Sequence, residues 1–167
     1  IESTDQALPL YETARSMQEK LVQATPNQPA RLEAYGNTLN ALGTALATKK
    51  QHDEAQQIYA TAAEVRTTLT KLKPSNSEYQ RLLANTYMNL GVSLRGSGDR
   101  AAAREQFVRA QEIRQAALQN DADNWKLHRD LGKGNYGLAS LARQEGNIAD
   151  AQTQFIAAAD EFELVVE

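Results

Sequence analysis

Residues 89–110 read NLGVSLRGSGDRAAAREQFVRA. Without a gap, this stretch lies over residues 41–62, ALGTALATKKQHDEAQQIYATA, and over residues 137–158, GLASLARQEGNIADAQTQFIAA. The offset is 48 residues in both directions. Leu42, Leu90 and Leu138 share one place, and Gly43, Gly91 and Ala139 the next. Ala55, Ala103 and Ala151 align, as do Tyr59, Phe107 and Phe155, and then Ala62, Ala110 and Ala158. A unit of this size buries its apolar face only by stacking on the next copy, so the chain reads as an all-α solenoid.

Each unit reads as two antiparallel helices. In the first unit a helix is expected from about Pro29 to Lys50, since proline is tolerated in a first helical turn. Tyr35, Leu39, Leu42 and Leu46 form its buried stripe. Asp53 is expected to cap a second helix that turns Ala55, Tyr59, Ala62, Val65 and Leu69 inward. Lys73-Pro74-Ser75-Asn76 is a turn, followed by helices from Ser77 to Ser97 and from Asp99 to about Asn120. Gly98-Asp99 and Gly146-Asn147 each read as a helix stop and then a cap. The last pair runs from about Asn124 to Glu145 and from Asn147 to the end. The register also extends backwards, placing Ala7, Tyr11 and Ala14 under Ala55, Tyr59 and Ala62. The division is therefore residues 1–25, the second helix of a truncated repeat; 26–73, repeat one; 74–121, repeat two; and 122–167, repeat three. Pro9 falls inside the first of these, so ordered helix is expected only from about Pro9. The chain ends on Phe162, Leu164, Val165 and Val166, and neither end reads as a polar cap.

Composition narrows the functional classes. The absence of cysteine excludes disulfides and thiolate metal sites. No run approaches the ~18 apolar residues of a membrane span. A net charge of −3 argues against general nucleic-acid binding, which needs a basic footprint. The first residue is Ile1 and nothing resembles a signal peptide, so a segment of something longer is expected. The sequence does not fix the compartment; the cytoplasm is the favoured expectation.

Asn89-Leu90-Gly91 with Leu94, Gly98, Ala103, Phe107 and Ala110 resembles a tetratricopeptide repeat. The resemblance implies close helix approach at the small residue, an aromatic plug between the helices, and a right-handed superhelix of about seven helices. Tetratricopeptide units are usually about 34 residues long, so both helices are longer here. Glu78-Tyr79-Gln80-Arg81 through Gln106-Phe107 resembles the long repeats that follow the catalytic domain in some bacterial serine/threonine protein kinases. The family resemblance implies a protein-binding scaffold whose concave face is lined by the first helix of each repeat.

Two catalytic motifs overlap at one place. His128-Arg129-Asp130-Leu131-Gly132-Lys133-Gly134-Asn135 fits a kinase catalytic loop, and Gly132-Lys133-Gly134-Asn135-Tyr136-Gly137 fits a phosphate-cradling glycine loop. Both chemistries need loop backbone, whereas the register puts these residues inside a helix, with Arg129 and Lys133 on the groove face, Asp130 solvated and Leu131 in the core. The remaining kinase motifs and a preceding strand are missing, so no enzyme activity is expected. The three glycines predict a weak, kinked helix, and Asn135, at the place of Leu39 and Tyr87, predicts looser packing. His52 at a helix end and a partly exposed His128 lack further ligands, so neither metal nor cofactor is expected. Trp125 is read as an inter-repeat packing residue.

The first helices supply the candidate binding groove: Glu33, Asn37, Asn40, Thr44 and Ala47; then Arg81, Asn85, Met88, Val92 and Arg95; then Arg129, Lys133, Tyr136, Ser140 and Arg143. Asn89 lies beside them. Their summed charge is +4 on a chain of net −3, which suits an acidic or phosphorylated protein segment. Members of the family that hold chaperone tails use a five-residue carboxylate clamp. Its places here are Asn40, Thr44, Asn89, Lys133 and Gly137, of which only Asn89 and Lys133 match. The expected function is a non-catalytic interaction scaffold, and the alternative is a spacer or self-association module that oligomerises through its repeat ends. No nucleic acid or membrane insertion is expected.

Overall fold

The computed structural model describes residues 2–165, with side chains from residue 6 onward. Its helices are α1 (Glu2–Ala24), α2 (Pro29–Thr48), α3 (His52–Leu72), α4 (Ser77–Ser97), α5 (Arg100–Leu118), α6 (Trp125–Gln144) and α7 (Ile148–Glu163), with no strand among the described residues. Each helix packs on its neighbours in sequence. The first helices of successive repeats, α2 with α4 and α4 with α6, also approach one another, whereas no two second helices do. The array therefore curves with α2, α4 and α6 on its inner side.

Helix boundaries follow local chemistry. Asn76, Asp99, Asn124 and Asn147 each accept a backbone N–H of the first turn and so satisfy a donor that has no intrahelical partner. Gly98 and Gly146 turn the chain with φ of 98° and 81°. The expectation that Asp53 caps α3 is corrected. The place of those glycines in repeat one holds Lys50, which adopts φ 62°, and Gln51 takes the N-cap position without a side-chain bond. Asp53 instead sits inside the first turn, where its negative charge favours the helix dipole.

The repeat lock is a small residue facing an aromatic ring. A Cβ added at Gly43 would lie 2.7 Å from the Tyr59 ring, and one at Gly91 would lie 2.5 Å from Phe107. Tyr59 and Phe107 are 2% and 0% exposed. Repeat three carries Ala139 at this place. There Phe155 is only half-buried and meets Tyr136 edge-on, with ring centroids 5.4 Å apart.

Four further expectations are corrected. α1 runs through Pro9, which is exposed, and Thr13 donates to the Pro9 carbonyl at 2.8 Å. α6 continues unbroken across its glycines, because three of them admit large neighbours: Phe162 at Gly132, Gln111 and Arg114 at Gly134, and Met88 at Gly137. Asn135 is not loosely held, since it accepts a hydrogen bond from Gln111. Trp125 is no packing residue: it is 50% exposed on the first turn of α6, with the Arg129 guanidinium 5.1 Å from its ring centre. At the C-terminal end Phe162 and Leu164 are exposed and Val165 is half-buried; Val166 lies outside the described residues.

His128 ties α6 to its surroundings. Its Nδ1 lies 2.7 Å from the Glu161 carboxylate of α7 and its Nε2 2.8 Å from the Ala122 carbonyl. Two acceptors require two donors, so this geometry holds the imidazolium. Burial opposes the charge, but the bonds to Glu161 and Ala122 and the charges of Glu161 and Asp123 outweigh it and raise the pKa. The resulting stability is present below the ordinary histidine value of about 6.5 and is lost as pH rises through the raised folded value. We expect about 0.5–1 kcal/mol from this source. It should appear as a fall in the urea midpoint as pH rises above about 6.5 that Glu161→Gln removes.

Candidate functional site

The inner face is built from α2, α4 and α6, and many of its predicted residues are committed to contacts within or between repeats. Asn37 accepts from Arg66 Nη2 at 2.9 Å and Asn85 from Arg114 Nη2 at 2.8 Å. Asn89 donates to Asn40 at 3.0 Å, a rung between α4 and α2. Glu33 accepts from the Tyr79 hydroxyl at 3.1 Å, and Thr44 shares a 3.0 Å bond with the Tyr59 hydroxyl. Met88 is half-buried between Gly137 and Phe107.

The cations of the stripe fall into two groups. Arg81 donates to Glu78 at 2.7 Å and to Asp130 at 2.9 Å, and only 14% of its side chain is exposed. Arg129 donates to the other oxygen of Asp130 at 3.0 Å. The expectation that Asp130 is solvated is thus corrected: it is 4% exposed, because α6 turns it toward Arg81 of the preceding repeat. Burial works against its ionisation, but the hydrogen bonds from Arg81 and Arg129 and the nearby charge of Arg114 hold its carboxyl below the usual range. The hydrogen bond from Arg81 lowers Glu78 in the same way. Arg95, Lys133 and Arg143 make no ion pair with any described residue. Counting Glu78 and Asp130, the excess charge of the stripe falls from +4 to +2.

Arg95 and Arg143 stand 48 residues apart, in the last turns of α4 and α6. They occupy equivalent places on adjacent inner helices. One turn before Arg95 along α4, a cavity opens between α2, α3 and α4, lined by Thr44, Thr48, His52, Asn89, Val92 and Ser93. Val92 is 42% exposed and gives this surface an apolar point. Ser140 is half-buried and Ala47 likewise. The kinase-like and glycine-loop motifs lie wholly within α6 and offer no loop to cradle phosphate. No cluster of His, Asp or Glu among the described residues is placed to hold a metal, and no helix there is long and apolar enough to cross a membrane.

Sequence reasoning missed the buried arginines. Arg66 is 3% exposed and Arg114 1%. Each lies on a second helix, reaches back to the asparagine of its own repeat, and meets the next first helix. Arg66 donates to the Leu82 carbonyl at 2.7 Å and to Thr86 at 2.5 Å. Arg114 lies against Gly134 and donates to Gln111, whose amide donates to the Leu131 carbonyl at 3.1 Å. Burial pulls both guanidinium pKa values down to about 10, so each remains charged at neutral pH. The signal was present in the sequence as the 48-residue recurrence of Arg66 with Arg114 and of Asn37 with Asn85.

Family models described as Tetratricopeptide repeat match residues 36–68 and 83–123. Among solved structures, the chain is similar to MamA MSR-1 C2, at 19% identity over 92% of this chain and 68% of that one, with a TM-score of 0.43. It is also similar to MamA 41-end from Desulfovibrio magneticus RS-1, at 15% identity over 92% and 95% of the two chains, with a TM-score of 0.24. No curated protein sequence matches. Seven helices in alternating pairs, without a strand among the described residues and with tetratricopeptide matches in two successive pairs, make this fold an all-α solenoid of tetratricopeptide type.

Proposed function

We propose that the chain is a non-catalytic interaction scaffold that holds an acidic or phosphorylated protein segment on its inner face, within a larger bacterial protein of the kinase-associated kind. Tetratricopeptide repeats serve protein binding in general, and the inner helices here leave specific cations uncommitted. The observation that carries the reading is the pair Arg95 and Arg143, in register on adjacent inner helices and without ion pairs to described residues. Arginine forks suit carboxylate and phosphate oxygens bidentately. Arg81 and Arg129 contribute less than their charge suggests, because Asp130 already occupies them.

The test is the double reversal Arg95→Glu with Arg143→Glu, assayed by fluorescence anisotropy against acidic decapeptides with and without phosphoserine. Binding at low salt should weaken by about a hundredfold, roughly tenfold per reversed charge, and its salt dependence should fall. The circular dichroism and melting temperature should stay unchanged. Equal affinity of both proteins for every peptide would sink the reading. A second reading, a spacer or self-association module, draws on the exposed Leu10, Met17 and Leu21 of α1 and on Phe162 and Leu164 at the far end. Self-association through the ends would be concentration-dependent in sedimentation and indifferent to the double reversal.

A further inference from the structure

Asparagine side chains on the inner side of repeats one and two spend only one arm of the amide on the protein. Asn37 and Asn85 stand 48 residues apart, on the adjacent inner helices α2 and α4. Each accepts at Oδ1 from a buried arginine, Asn37 from Arg66 and Asn85 from Arg114. A guanidinium only donates, so it fixes which arm of the amide is which: the oxygen meets the arginine and the nitrogen takes the other arm. Neither Nδ2 group makes a hydrogen bond to a described residue. Asn37 is exposed and Asn85 half-buried, so both donors lie within reach of the groove. One turn further along, Asn89 donates to Asn40. Whichever of these two amides donates, one Nδ2 group and one Oδ1 atom of the pair are left over.

These groups suit the main chain of an extended segment. A helix bonds its own carbonyls and N–H groups along its length and leaves only its ends for others. An extended chain offers one carbonyl and, except at proline, one N–H per residue. Adjacent packed helices lie about 8–10 Å apart. Three residues of polyproline-II chain span that gap at about 3.1 Å each, and the threefold turn returns every third carbonyl to the same side. Charge then sets the side chains of the segment. Among the groove positions α2 supplies no cation, α4 supplies Arg95, and α6 supplies Lys133 and Arg143. None of the three makes an ion pair with a described residue. Lys133 holds the place of Asn37 and Asn85, so the row of donors runs amide, amide, ammonium.

We propose that the inner face holds an acidic segment of a partner protein in extended form, with the Nδ2 groups of Asn37 and Asn85 donating to main-chain carbonyls about three residues apart. This rests on the inner-face reading above and adds a shape to it. Over repeats one and two the contact is with the main chain and is indifferent to side-chain identity; the charge of the segment is met at Arg95, Lys133 and Arg143. The occupant is therefore an extended acidic stretch and not a helix with an acidic face.

The probes are two fluorescein-labelled decapeptides of equal charge, added to the full 167-residue chain. In one, glutamate alternates with proline, which prevents a helix; in the other it alternates with α-aminoisobutyrate, which favours one. The proline peptide should bind about tenfold more tightly, the worth of two neutral hydrogen bonds. Asn37→Asp with Asn85→Asp keeps both acceptors for the buried arginines and removes both donors. The urea midpoint should not fall, and the preference should disappear. The added charge weakens both peptides alike, so the ratio of affinities isolates the main-chain contact. Arg95→Glu with Arg143→Glu should weaken both peptides and leave the ratio at about tenfold. If the double aspartate variant unfolds, Asn37→Asp alone, at its exposed site, should cut the ratio to about threefold. Equal affinity of the wild-type chain for the two peptides, or tighter binding of the helical one, overturns the proposal while the inner-face reading stands. A preference that survives the aspartate substitutions overturns it as well. Binding of neither peptide overturns both.

Discussion

Phe107→Ala is expected to lower the free energy of unfolding by about 3–5 kcal/mol, the range for emptying a fully buried aromatic site. The ring is 0% exposed and clusters with Leu138 and Leu141 of the next repeat, with Met88 against it. It fills the space that Gly91 leaves, so alanine there would face a cavity on two sides: its own repeat and the neighbour. Urea titration measures the loss as a lower midpoint. Phe155→Ala should cost less than half as much, because that ring is already half out of the core beside Ala139. An unchanged midpoint for Phe107→Ala would contradict the lock between small residue and ring.

Asp130→Asn comes next, at about 2–4 kcal/mol at neutral pH. Removing one member of a buried ion pair leaves the other charge uncompensated, and the usual cost of about 3–5 kcal/mol is reduced here because Arg81 keeps Glu78. The pH dependence has a definite sign. The folded-state pKa of Asp130 is depressed, so its contribution is present above the ordinary carboxylate value and is lost as pH falls through the depressed one. The gap between wild type and variant should therefore close in acid. His128 works in the opposite direction and fades as the solution becomes alkaline. The two effects can be separated by urea titrations at both ends of the pH range, with Glu161→Gln as the control for the second.

The helix ends were legible because they rest on local chemistry. Gly98 with Asp99 and Gly146 with Asn147 carry both the left-handed turn and the cap in two residues. Repeat one misled the reading at this place, since Lys50 and Gln51 occupy it and Asp53, two residues on, looks like a better cap. The buried apolar stripe of α2 was also legible, as helical spacing puts Tyr35, Leu39, Leu42 and Leu46 on one side. The polar side of the first helices was not. Charge in a sequence reads as solvation, yet Asp130 is buried against Arg81 of the preceding repeat, Arg66 against Leu82 and Thr86 of the next, and Arg114 against Asn85 and Gln111 of its own. The candidate groove shrank for the same reason: five cations were counted, and the two with cross-repeat or neighbouring carboxylates were already committed.

The buried arginines also decide how the array comes apart. Arg66 is satisfied only while α4 lies over it, because two of its three acceptors, Leu82 and Thr86, belong to the next repeat. Peeling repeat two away would strand a charge that water then has to reach. Intrinsic repeat stability is thereby converted into nearest-neighbour coupling, and a linear array with strong coupling melts as one cooperative unit rather than repeat by repeat. At Phe162 that linkage is replaced by an apolar contact with α6 of the same repeat. Fraying should accordingly begin in α7, and its amides should exchange with solvent before those of α4 and α5.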